Sequence, residues 1–147
     1  MIALAIVAIL ATLAAPGLYT SYARDQVVEA GPLVDVAKKR VAALWLASGA
    51  LPADNAEAGL PAPTKMVGNT VKSVTVDHGA INVVFGNKVN GMIDGKTLSF
   101  RPAVIEDTSS VPVAWLCGHS KPADGMTAKG ENRTDVPSAA LPANCRG

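Results

Sequence analysis

Two cysteines, Cys117 and Cys145, and two histidines, His78 and His119, are the side chains of this 147-residue chain best suited to chemistry. Cys117 and His119 could begin a metal site, but no third and fourth ligands follow at zinc-like spacing. His78 stands in a turn-forming Asp77-His78-Gly79 and His119 just after a cysteine, so both read as isolated surface histidines. No glycine-rich phosphate loop follows a strand, and Gly86 and Gly91 read as turns. Asn132-Arg133-Thr134 matches the N-glycosylation acceptor pattern, a weak signal. No catalytic residue, cofactor site or metal site emerges, and an enzyme is not expected. The cysteines remain. They could close a segment of about 29 residues with a disulfide worth roughly 3–4 kcal/mol, or be a pair of buried free thiols.

The elements around these residues divide the chain sharply. Residues 1–23 carry no charged side chain, and Met1 to Leu10 are apolar all round. About 20 uncharged residues suffice to cross a hydrocarbon core of roughly 30 Å. A cleaved signal peptide would need a positive n-region, and a buried globular helix usually shows a polar face. A membrane-resident helix fits best. Ala8, Ala11, Ala14 and Ala15 would let neighbouring helices approach closely. Such a segment implies export, which weighs toward the disulfide. Pro16 removes a helix hydrogen bond, so a bend or break is expected there.

Residues 24–50 read as an amphipathic helix, with Val27, Val34, Val41 and Trp45 at helical spacing among charged residues. Gly31-Pro32 should weaken or kink it, and Gly49 followed by Pro52 should end it. Tyr19, Tyr22 and Trp45 read as packing residues, and Lys38-Lys39-Arg40 as a solvated face. Residues 51–70 form an irregular connecting loop. Residues 71–117 read as an antiparallel sheet: a hairpin of Val71–Val76 and Ala80–Phe85, then strands Thr97–Pro102 and Val111–Cys117. Residues 118–147 are polar and need tying down, which a bond from Cys145 to Cys117 would do. The fold class is α+β: a long N-terminal α-helix packed on a four-stranded antiparallel sheet, with a disulfide-bounded C-terminal loop. Net charge is +1, with Lys121, Lys129 and Arg133 offset by Asp124, Glu131 and Asp135. DNA is therefore not expected as a partner.

The run Met1-Ile-Ala-Leu-Ala-Ile-Val-Ala-Ile-Leu-Ala-Thr-Leu-Ala-Ala-Pro16, followed by Tyr19, Tyr22, Arg24, Val27 and Glu29, resembles the N-terminal spine of type IV pilins of Gram-negative bacteria. Val113-Ala-Trp-Leu-Cys117 and the terminal Leu141-Pro-Ala-Asn-Cys-Arg146 resemble that family's disulfide-bounded C-terminal region, and Gly95-Lys-Thr-Leu98 its third strand. In the family about six residues, usually Phe-Thr-Leu-Ile-Glu-Leu, stand ahead of this Met-Ile, so the sequence either starts inside a mature subunit or is atypical. Ala8 also stands where the family often has Gly, and the tyrosines are displaced by about one position.

The resemblance implies a structural subunit that polymerises into a type IV pilus. Met1, Ile2, Leu4, Ile6, Val7, Ile9, Leu10 and Leu13 would then form the filament core, with Pro16 and Pro32 as helix breaks. A non-helical stretch within about Ala8 to Pro16 is expected in the filament. The implied partners are copies of the chain, a prepilin peptidase, an inner-membrane assembly platform and an assembly ATPase. The subunit would lie in the inner membrane before assembly and in an extracellular pilus after it. Two rivals are a minor pilin serving as DNA receptor and a type II secretion pseudopilin, whose major class usually lacks such a tail and carries a calcium site not found here.

Overall fold

Residues 2–15 are chiefly alanine, leucine and isoleucine, good helix formers, and the structure, a computed structural model, places them in one continuous helix. It describes residues 2–147 apart from the side chains of residues 13–16. The roles expected of Met1 and of the Leu13 and Pro16 side chains lie outside the described residues. Helix α1 runs Ile2–Glu29 and helix α2 runs Gly31–Ser48, with Ala30 alone between them. The break expected at Pro16 is therefore not found in the single chain. A proline inside a helix costs about 3 kcal/mol, and strong helix formers on its N-terminal side hold the conformation across that defect. The interruption near Pro32 falls at Ala30, whose φ of −70° and ψ of −15° stay in the helical region. Pro32 itself lies in the first turn of α2, where a missing N–H leaves no bond unmade. Gly49 ends α2 at φ +70°, its N–H donating to the Trp45 carbonyl at 2.8 Å.

Ala23, Val27, Ala30, Val34, Ala37, Val41 and Trp45 are buried. Their spacing of three or four residues sets them on one stripe across the α1–α2 junction, and that stripe packs on the sheet. Strands β1 (Val71–Asp77), β2 (Ala80–Phe85), β3 (Thr97–Val104) and β4 (Ala114–Cys117) pair antiparallel in that order. Val71, Val74, Val76, Ile81, Val83, Phe85 and Leu98 supply the facing core. The β1–β2 turn is made by His78 and Gly79, with φ of +50° and +87°. Two positive φ values suit the twist of a two-residue hairpin.

Two expectations need correction. The sheet has a fifth strand, β5 (Thr127–Ala128), paired with Ala103 and Val104 of β3. Two residues are too few to show a period, so the sequence carried no sign of it. β4 starts at Ala114 rather than Val111, because Val111 gives its carbonyl to Trp45 Nε1 at 3.2 Å and Pro112 has no N–H to pair. The connection over residues 51–70 is irregular apart from one short helical turn, Pro63–Lys65. It buries Asn55, Ala58, Leu60 and Met66, and it closes the free edge of β1. There Asn55 Oδ1 accepts from the Val76 N–H at 2.6 Å while its Nδ2 donates to the Val74 carbonyl at 3.0 Å. A side-chain amide thus takes the place of a neighbouring strand at an edge that would otherwise invite pairing.

The C-terminal region is held by more than its disulfide. Cys117 and Cys145 are bonded, with Cα atoms 4.6 Å apart. Val136, Ala140 and Leu141 are buried in the main core. Asp135 exchanges two bonds with Thr97 of β3, its N–H donating to the Thr97 carbonyl at 3.0 Å and its carboxylate accepting from the Thr97 N–H at 2.5 Å.

Candidate functional site

The side chains with chemical potential are separated and already engaged. His78 Nδ1 lies 2.5 Å from Asp77 Oδ1 on the β1–β2 turn. His119 Nδ1 lies 3.3 Å from Asn132 Nδ2, and the cysteines are consumed in the disulfide. Among the described residues no group of three or more His, Cys, Asp or Glu side chains could hold a metal. Asn132-Arg133-Thr134 works as a clamp: Arg133 Nη2 donates to Asp77 at 2.6 Å, and Thr134 Oγ1 accepts from the Ser99 N–H at 3.0 Å. The cavity beside the disulfide, about 280 Å³, is walled by Val27, Leu98, Phe100 and Trp115. Lys38 reaches over it with Nζ 4.4 Å from the Phe100 ring centre, a cation–π contact that holds the side chain rather than a reacting centre.

The unusual surface is the N-terminal half of α1. Ile2, Leu4, Ile6, Val7, Ile9 and Leu10 are 53–80% exposed. Successive helical residues turn by about 100°, so these six are spread around the rod, and none of the described residues from Ile2 to Thr12 is covered by the head. Burying such side chains is worth about 1.5–3 kcal/mol each, so the rod forgoes on the order of 10 kcal/mol while it stands in water. It needs lipid or other rods around it. The helical part from Ile2 to Ser48 is long and apolar enough to cross a membrane, with a mean hydropathy of 2.2 in its most apolar window. Charge begins at Arg24, where the head begins. Arg24 Nη2 donates to the Ala139 carbonyl at 3.0 Å, tying α1 to the C-terminal region.

On the other side of α1 a second tie is made by two residues that the sequence did not single out. Gln26 Oε1 accepts from the Asn90 N–H at 2.7 Å, and Gln26 Nε2 donates to the Lys88 carbonyl at 3.1 Å. Asn90 Nδ2 donates to the Tyr19 carbonyl at 3.3 Å. Gln26 and Asn90 are both buried. The one available signal was Gln26, a polar residue beside Val27 on the edge of the apolar stripe. Asn90 carried no signal beyond standing next to Gly91, which read as a turn.

A head with its own core and a rod with none define a subunit built for assembly. A family model described as pilin (bacterial filament) matches residues 23–146. The chain is 36% identical to the type IV major pilin protein PilE of Neisseria gonorrhoeae, over 99% of this chain and 89% of that protein. It is 35% identical to a fimbrial protein of Neisseria meningitidis serogroup A, with the same coverage of both. It is 31% identical to the fimbrial protein EcpC of Eikenella corrodens, over 90% of this chain and 86% of that one. The chain belongs to the type IV pilins. It is a non-enzymatic pilus subunit that polymerises with copies of itself into an extracellular filament.

Proposed function

We propose that this chain is the major subunit of its pilus and that the apolar residues of α1 form the filament core. The observation that carries this reading is the exposure of Ile2, Leu4, Ile6, Val7, Ile9 and Leu10 on all sides of the rod. Met1 and Leu13 extend the same apolar run in sequence. Before assembly, residues 1–23 rest in the inner membrane with the head on its outer side. The rod then exchanges lipid for neighbouring rods, and close packing rather than escape from water drives that exchange. Ala8 and Ala11 permit close approach of neighbouring helices. Head-to-tail contacts that do not close propagate as a helical array. A prepilin peptidase, an inner-membrane platform and an assembly ATPase serve the subunit. In the filament a stretch within about Ala8 to Pro16 unwinds, starting from the helix of the single chain.

The rival readings find less support. The relatives above are named major pilin or fimbrial protein, which favours neither a minor DNA receptor nor a secretion pseudopilin. The test is Ile6→Lys in cells depleted of the natural subunit. A charge in an apolar spanning helix costs up to about 2.5–3.5 kcal/mol, the value at its centre. Sheared filaments should vanish in electron micrographs while the subunit remains in membrane fractions. Normal filaments from Ile6→Lys would refute the core assignment.

A further inference from the structure

Among the described residues of the rod, Ile2–Thr12, Gly17 and Leu18 are exposed, so its direction must be set where α1 enters the head. Two ties act there. Arg24 reaches the C-terminal region, and Gln26 with Asn90 joins α1 to the segment between β2 and β3. The second tie is the more N-terminal, because Asn90 Nδ2 reaches the Tyr19 carbonyl, 71 residues away in sequence.

We propose that Gln26 and Asn90 form the joint that fixes the direction of the rod relative to the head, and that this joint positions the subunit for assembly. The proposal rests on the assembly reading above. The joint is rigid on its head side. Ile93 is fully buried, Gly95 N–H donates to the Phe85 carbonyl at 2.9 Å, and Lys88 N–H to the Asn69 carbonyl at 2.8 Å. Asn90 is itself braced, its Oδ1 accepting from the Met92 N–H at 2.8 Å. Stability alone does not call for this arrangement. Replacing both partners of a buried hydrogen bond by apolar groups of similar shape is often nearly neutral. What a pair of amides adds is direction, since hydrogen bonds weaken steeply off axis.

Leverage makes that direction matter. The 18 residues from Ile2 to Tyr19 span about 27 Å as a helix. A swing of about 10° at Tyr19 would carry the tip by about 5 Å, roughly half the 8–10 Å distance between packed helices. A helical array repeats one contact geometry, so such scatter would spoil its register.

The test uses the full chain in detergent micelles, with nitroxide labels on Ile6→Cys and Lys65→Cys and the native disulfide kept oxidised. In the natural background one narrow distance distribution is expected. Asn90→Ala should broaden it at least about twofold, and amide exchange at Met92 should rise about fivefold, the effect of one lost buried hydrogen bond. Gln26→Glu keeps the acceptor for the Asn90 N–H but sets a carboxylate oxygen against the Lys88 carbonyl, so it should broaden the distribution as well. Should Asn90→Ala fail to fold, Asn90→Asp, which retains the acceptor for Met92 but loses the donor to Tyr19, takes its place. A variant distribution as narrow as the natural one overturns the joint, because loss of head stability alone would leave the rod's direction unchanged. Filaments from the same variants should lose their sharp helical diffraction; unaltered filaments would also overturn the joint. A natural chain that forms no filaments would instead overturn the assembly reading, and the label distances would still decide the joint.

Discussion

Replacing Cys117 and Cys145 together by alanine removes a bond that spans 28 positions of sequence. Closing a loop of that size in the unfolded chain is worth about 3–4 kcal/mol on the entropy argument. Near a chain of this length, each kcal/mol moves the melting midpoint by about 4 °C, so the midpoint should fall by about 12–16 °C. The folded state should survive at room temperature. Leu141 and Ala140 are fully buried, and His119 N–H donates to the Cys145 carbonyl at 2.9 Å, none of which needs the bond. The assay is thermal unfolding of the full chain in nonionic micelles, followed by near-ultraviolet circular dichroism. Trp115, two residues from Cys117, reports on this corner. Reductant added to the natural chain should reproduce the shift and leave the double variant unmoved. A fall of less than about 4 °C, near 1 kcal/mol, would refute the reasoning and show that the tail is restrained chiefly by its non-covalent contacts.

Other outcomes can be set beside it. Asn55→Ala should cost about 2–3 kcal/mol, since it strands the buried Val76 N–H, and should speed exchange of that amide selectively. Gly118→Ala places a Cβ 2.6 Å from the Cys145 carbonyl oxygen at a φ of +56°, and a loss of about 1–3 kcal/mol in thermal unfolding should follow. The Glu106 carboxyl is held below its ordinary pKa by a hydrogen bond from Lys129 Nζ at 2.6 Å. Its stabilising effect is therefore present above the unfolded value and disappears as pH falls through the folded one. Glu106→Gln should flatten that acid-side dependence in a pH titration of stability, and only slightly, because the pair is exposed.

The sequence by itself determined the division of labour. The charge-free run that opens the chain has no polar face to turn outward, so the exposure of its described residues Ile2–Thr12 and their need for company follow from composition. The inward stripe on the helices follows from spacing, and the β1–β2 hairpin from alternation around His78-Gly79. Two cysteines at the ends of a polar tail marked a disulfide, though free thiols were open until their geometry was known. Only the tertiary structure decided where long-range polar contacts fall. Asn55 is an ordinary loop residue in sequence, and its value comes from lying against β1 about 20 positions away. β5 exists because the C-terminal region returns to β3, beyond the end of β2. Gln26 and Asn90 are 64 residues apart and neither carries a motif. Local propensity acts within a turn or two of chain. A buried amide becomes a joint only when folding removes water from it and supplies a partner.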